Sequence, residues 1–206
     1  MIAIAPGLWH WTTVHEVHGI RIGTHYLEAD RVIIDPRVPE EGLEWLDRHG
    51  PPAAALLTNR HHYRHAGRLA EAFGTRVLAP RAGMHEFTHG EPVEPYEPGD
   101  VLPGGVVAHE VGAICPDEMA LHLPAHRALA LADGLVRFPD DGPLGFVPDW
   151  LLGDDPEGVR RGLVSAYARL LDLDVAHLLL AHGDPVVGDG GARLAAFVAA
   201  HGGAPG

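Results

Sequence analysis

Four short apolar runs, each stopping on or just before a residue able to bind or carry charge, constrain this chain more than any other feature. "VIID" ends at Asp35, "AALLT" leads straight into "NRHHYRH", "ALALAD" ends at Asp133 and "HLLLAH" ends at His182. Runs this short and this apolar suit strands buried on both faces. Where such strands are linked by helical crossovers, the loops at their carboxyl ends meet in one crevice. The four polar ends are therefore expected to meet in space.

The intervening segments supply the crossovers. "GIRIGTHYLEAD" alternates apolar and polar residues and turns at Ala29-Asp30 into "RVIIDP". "PEEGLEWLDRHG" reads as a helix with Pro39 near its first turn, Leu43 and Leu46 on one face, and Gly50 past its end. "AGRLAEAFG" is a second helix, closed by Gly74, before the strand "RVLAP". From Val101 the pattern becomes a meander of strands. It is followed by the long amphipathic helix "PEGVRRGLVSAYARLLDL", with Val159, Leu163, Val164, Tyr167, Leu170 and Leu171 at helical spacing. "AHLLLAHGDP" is a last buried strand and "GARLAAFVAAHG" a terminal helix. No repeat, low-complexity tract or linker interrupts the chain, so residues 1–206 read as a single domain of packed sheets with helices outside.

Composition excludes several classes of function. All 15 basic residues are Arg, so no lysine Schiff base or phosphate anchor exists. The formal net charge of −13 argues against nucleic acid and anionic membrane as partners. Cys115 is the sole cysteine, which rules out an intrachain disulfide and a thiolate metal cluster. No window is apolar enough to span a bilayer, and the first residues lack a leader pattern, so the expectation is a cytoplasmic protein. The 16 histidines are the unusual feature. Four of them, His10, His15, His18 and His25, lie near the N-terminus at alternating strand positions and read as exposed. Trp9, Trp11, Trp45 and Trp150 read as core or groove-wall residues. Imidazoles and carboxylates converging without thiolates suit Zn, Mn or Fe.

In order along the chain, "VIIDP", "ALLTNRHHYRHAG", "GAICPDEMALHL", "LALADGLV" and "LLLAHGDPV" resemble the successive motifs of the metallo-β-lactamase superfamily, including its glyoxalase II-like thioesterases. The resemblance covers nearly the whole chain. It implies an α/β (α+β) fold, a four-layer αββα sandwich with the site at one edge. It also implies two metal ions held by His-x-His-x-Asp-His, a further histidine, a bridging aspartate and a last histidine.

Two registers fit the histidine segment. Aligned from Thr58, the ligand slots fall on Asn59, His61, Tyr63 and Arg64; aligned from "HAG", they fall on Arg60, His62, Arg64 and His65. Ile114 takes the next histidine's place, while Asp133 and His182 match. The resemblance thus implies a divergent member holding at most one ion, zinc or else Mn or Fe, on His61 or His62 with Asp133 and His182. Asp133 and Arg64 would serve the chemistry, with Arg64 orienting an anionic substrate. Alternatively, Arg60 or Arg64 replaces the metal and pairs with Asp133. Asp35 takes the superfamily's supporting place, and Glu118 reads as a turn residue.

The expected function is hydrolysis of a small-molecule ester or thioester by water activated on one ion. The alternative is a metal-free, non-catalytic binding or regulatory protein that keeps the fold. A homodimer is compatible with either.

Overall fold

The structure is a computed structural model and describes residues 1–17 and 19–202; His18 lies outside the described residues. The first sheet runs, in both space and sequence, β1 (Ile2–Ala5), β2 (Leu8–Val14), β3 (Arg21–Leu27), β4 (Val32–Ile34), β5 (Ala54–Leu56), β6 (Arg76–Pro80) and β7 (Val93–Tyr96). Its first four strands pair antiparallel through short turns. From β4 onward the pairing is parallel, because each crossover passes through helical chain.

The second sheet is ordered β8 (Val101–Leu102), β9 (Val106–Glu110), β10 (Met119–Leu123), β11 (Ala128–Leu131), β14 (His177–Leu180) and β15 (Val186–Val187). Only β11 and β14 run parallel, and α3 (Pro156–Ala168) lies on the chain between them. β12 (Val136–Arg137) and β13 (Leu144–Gly145) form a small separate ribbon.

Burial shows why the sheets stack. Inward residues of the first sheet, among them Ile34, Leu56 and Leu78, pack on Ala108, Leu121 and Leu179 of the second to form one core. The outer face of the first sheet is covered by α1 (Leu43–Arg48) and α2 (Ala66–Phe73) through Trp45, Leu46 and Leu69. The outer face of the second is covered by α3 and α4 (Gly190–His201) through Leu163, Tyr167 and Phe197. The layers are therefore helix, sheet, sheet, helix, as expected.

At the element ends, sequence and structure part in places. The first helix begins at Leu43, not near Pro39, because the Pro39 carbonyl accepts from the Gly42 N–H in a preceding turn. α3 stops at Ala168, so Leu170 is buried while Leu171 is exposed. His10 and His25, read as exposed, are buried, with rings stacked at 4.9 Å and their Nδ1 atoms 3.2 Å apart. Burial holds His10 down to about 2 and His25 to about 4, so both are neutral spacers on paired strands. Among the described residues no helix is long and apolar enough to cross a membrane.

Candidate metal centre

The four polar strand ends do meet. Asp35 follows β4, the histidine segment follows β5, Asp133 follows β11 and His182 follows β14. Their meeting point needs the two sheets to touch, and Gly23 makes that contact. Its N–H donates to the Ala181 carbonyl at 2.8 Å, and a Cβ there would lie 2.3 Å from the Leu180 carbonyl oxygen. Only glycine lets β3 lie this close to the strand that delivers His182.

After β5 the chain tightens into a 3₁₀ turn, Arg60–Tyr63, capped by Asn59, whose side-chain oxygen accepts from the His61 N–H. In such a turn residues three apart lie on one side. Asn59 and His62 consequently face the same partner: Asn59 Nδ2 donates to Asp133 Oδ2 at 3.0 Å, and His62 Nε2 lies 3.1 Å from Asp133 Oδ1. His182 Nε2 approaches that same Oδ1 at 3.2 Å. One ligand atom each from His62, Asp133 and His182 lie within 4.8 Å of one another.

Each imidazole is held from behind. Asp35 accepts from the Thr58 N–H at 2.8 Å and from its hydroxyl at 2.7 Å. The Thr58 oxygen and Asp35 Oδ2 lie 2.8 and 2.9 Å from His62 Nδ1. Since the hydroxyl proton goes to Asp35, Nδ1 must carry the proton on His62. On His182, Nδ1 faces the Arg21 carbonyl at 3.1 Å, which can only accept. Both rings therefore turn Nε2 toward Asp133. In neutral rings those nitrogens carry lone pairs, so three electron-rich atoms confront one another.

Positive charge belongs between them. Burial and the nearby Arg64 both oppose charging His62, yet the Asp35 and Asp133 carboxylates outweigh them and raise it to about 9. Burial likewise opposes ionisation of Asp133, but the charge and hydrogen bonds of His62 and His182 hold it well below the usual carboxylate range. The alternative to protons is a bound cation. Two imidazole nitrogens and a carboxylate oxygen, each braced by a hydrogen bond, form a donor set suited to one such ion.

The other expected residues are spread around this centre. His61 is exposed on the crevice wall, carried there by the turn. His65 faces away, its Nδ1 accepting from the Val38 N–H at 2.9 Å. Arg64, at φ 43, lies at the edge of the first sheet, with Nη1 near the Gly23 and Asp35 carbonyls at 3.3 and 3.4 Å. Desolvation lowers its pKa, and the charges of Asp35 and Asp133 offset part of that. Arg60 does not pair with Asp133. It bonds Asp117, with its backbone N–H donating to Oδ2 at 2.7 Å, and it also reaches Glu86 at 3.4 Å.

Glu118 is a buried acceptor rather than a surface turn residue. Its two oxygens take the N–H groups of Ile114 at 3.2 Å and Gly134 at 3.0 Å, which fixes the loop behind Asp133. Cys115 is buried, and burial raises its thiol to about 12, which removes it as a nucleophile. Sequence reasoning missed Asn59 as a support for Asp133 and Asp117 as the partner of Arg60. The signal for the first was its spacing of three from His62.

Above the floor of His62, Asp133, His182 and Arg64 opens a crevice of about 640 Å³. Its walls are largely apolar and include Ile20, Ile22, Phe138, Val147, Trp150 and Leu151.

No family model matches the chain. Among curated proteins, the hydroxyacylglutathione hydrolase of Synechococcus sp. (strain CC9902) is 30% identical over 123 residues, or 58% of this chain, which spans about half (47%) of that relative's length. A metallo-β-lactamase family protein from Thermus thermophilus superimposes with a TM-score of 0.64 at 18% identity, covering 97% of this chain and 81% of its own. TTHA1623 in a di-iron-bound form gives 0.66 at 22% identity, covering 86% of this chain and 94% of its own. Likenesses at these identities establish architecture, and the layered sheets with their shared edge agree with them. The chain is a metallo-β-lactamase-fold protein, as the order of its motifs implied.

Proposed function

We propose that this protein is a metal-dependent hydrolase of small esters or thioesters, with one ion held by His62, Asp133 and His182. The observation that supports this most is the pair of Nε2 atoms aimed at a single carboxylate oxygen, with both Nδ1 atoms engaged behind them. The curated relative's name denotes a hydrolase acting on a thioester, and a structural neighbour was crystallised with two irons. A divalent ion held there would polarise a carbonyl and make water a nucleophile near neutral pH.

A single ion, zinc or else Mn or Fe, is the expectation because Arg64 keeps its charge beside Asp35 and Asp133. A cation about 4 Å from a second ion would be opposed by roughly 4 kcal/mol per unit charge at an effective dielectric near 20. Ile114, on the crevice wall, adds no lone pair. The chain's own residues then divide the work. Thr58 and Asp35 fix the tautomer of His62, the Arg21 carbonyl fixes that of His182, and Asn59 orients Asp133. Arg64 offers its charge to an anionic group of the substrate or to negative charge developing on the carbonyl oxygen.

Metal content tests this reading. Protein purified without chelator and then supplied with Zn, Mn or Fe should hold about one equivalent of ion, His182→Ala should lose most of it, and His61→Ala should keep it. Less than about a tenth of an equivalent in the unaltered protein after resupply would refute the metallohydrolase proposal in favour of a metal-free binding protein.

A further inference from the structure

We infer that the crevice selects substrates by an extended apolar group, an acyl chain or aryl ring, seated on Ile20, Phe138, Trp150 and Leu151 while the reacting carbonyl faces the floor. The inference rests on the hydrolase reading for its chemistry, but the apolar seat itself is argued from exposure. Large apolar side chains left in water mark a binding surface when they cluster. Here Ile20 is 38% exposed, Phe138 47%, Trp150 78% and Leu151 45%, and all four line the one crevice whose floor is His62, Asp133 and His182.

They come from two separate parts of the chain, the segment before β3 and the stretch that follows β12. The 3₁₀ turn Asp149–Leu151 holds Trp150 and Leu151 at the rim, with the Leu151 N–H donating to the Pro148 carbonyl at 2.9 Å. Beneath them Val147 and Leu152 are buried together with Val136, so the rim is supported from below and is not a loose flap. The crevice volume of about 640 Å³ is that of a small-molecule site.

Charge narrows the class further. The protein has no lysine, and among the described residues the basic side chains lining the crevice are Arg64 and histidines at its floor and wall. Phe138, Val147, Trp150 and Leu151 carry no charge themselves, and the basic ring beside them is the His182 imidazole of the floor, 6.4 Å from the Phe138 ring. The end of the substrate that points away from the floor is thus apolar and uncharged. A polar, multiply anionic leaving group would leave four apolar side chains in water and find no cation among them.

Binding of methyl propyl, methyl pentyl and methyl heptyl ketone, followed by tryptophan fluorescence, tests this without any reaction, since a ketone has a carbonyl and no leaving group. Dissociation constants should fall roughly two- to fourfold per added methylene. In Trp150→Ala and in a Trp150→Ala/Leu151→Ala double variant that dependence should flatten, with circular dichroism checking that these exposed positions leave the fold intact. The variants' binding is read by calorimetry, which needs no tryptophan. Flat affinities in the unaltered protein, or a chain-length dependence that survives both variants, would overturn the inference.

Hydrolysis of nitrophenyl acetate, butyrate and octanoate separates this from the reaction itself. Turnover of none of them, with chain-length-dependent ketone binding intact, removes the hydrolase reading and leaves the apolar seat standing. Turnover with no chain-length preference in binding or in kcat/KM removes the seat and leaves the hydrolase reading.

Discussion

At the residue scale, Thr58 shows how a neutral side chain can decide the state of a charged site. Its N–H and hydroxyl both donate to Asp35, which sits at φ 50, and its oxygen meets His62 Nδ1. Asp35 is fully buried, a condition that opposes its charge, yet the positive His62 and Arg64 and the Thr58 donors hold its carboxyl below the usual range. Thr58→Val keeps the side chain's shape but removes the hydroxyl, so Asp35 loses one donor and His62 Nδ1 is left with Asp35 Oδ2 alone. Chemical denaturation should show a loss of about 1–3 kcal/mol, and ion retention should weaken in parallel. The residue scale is also where the sequence was least legible. His61 and His62 cannot be told apart in the sequence because the segment fits the superfamily's motif in two registers, one counted from Thr58 and one from "HAG", and motif matching does not register the local backbone. The chain makes a 3₁₀ turn, so a spacing of three governs, and Asn59 with His62 faces Asp133.

At the element scale, the loop between β9 and β10 and the turn after β11 are tied by one buried carboxyl. Glu118 accepts from Ile114 and Gly134, and a Cβ at Gly134 would lie 2.4 Å from Leu163 Cδ2 and Tyr167 Oη. A side chain at Gly134 would collide with Leu163 and Tyr167, so the turn that delivers Asp133 packs directly against α3. Burial raises Glu118 from 4.5 to about 7, with Asp133 adding to it, although the two N–H groups pull the other way. The folded protein therefore keeps a proton that the unfolded chain releases near the lower value. The contribution of Glu118 to stability should be complete below about pH 4.5 and decline as pH rises through about 7, at about 1.4 kcal/mol per unit of difference. Glu118→Gln should flatten that slope in urea denaturation measured from pH 5 to 8; an unchanged slope would refute the assignment. Element identity was well signalled by apolar runs and punctuation. Element ends were not, because the Pro39 turn and the early stop of α3 are decided by local backbone bonds that periodicity does not register.

At the scale of the whole molecule, the order of motifs carried the fold and the approximate place of the site. Apolar strands ending in polar residues can be read directly, since buried strands leave few other patterns open. Of the apolar rim, Trp150 reads as a core or groove-wall residue in the sequence, but Phe138 and Leu151 follow no period, and only the folded chain brings Ile20 beside them. The same packing has one mechanical result. His62 hangs from the first sheet, while Asp133 and His182 hang from the second, so whatever occupies the space among them clamps one half of the molecule to the other. Occupancy should slow amide exchange at Gly23, whose N–H crosses from sheet to sheet onto Ala181, by the full factor 1 + [L]/Kd where exchange requires the halves to part. Hydrogen exchange read by NMR with and without added ion checks this, and equal Gly23 rates would mean that the halves do not part there. One backbone proton, belonging to none of the three ligand residues, thus serves as a gauge of whether the two halves move as a single body.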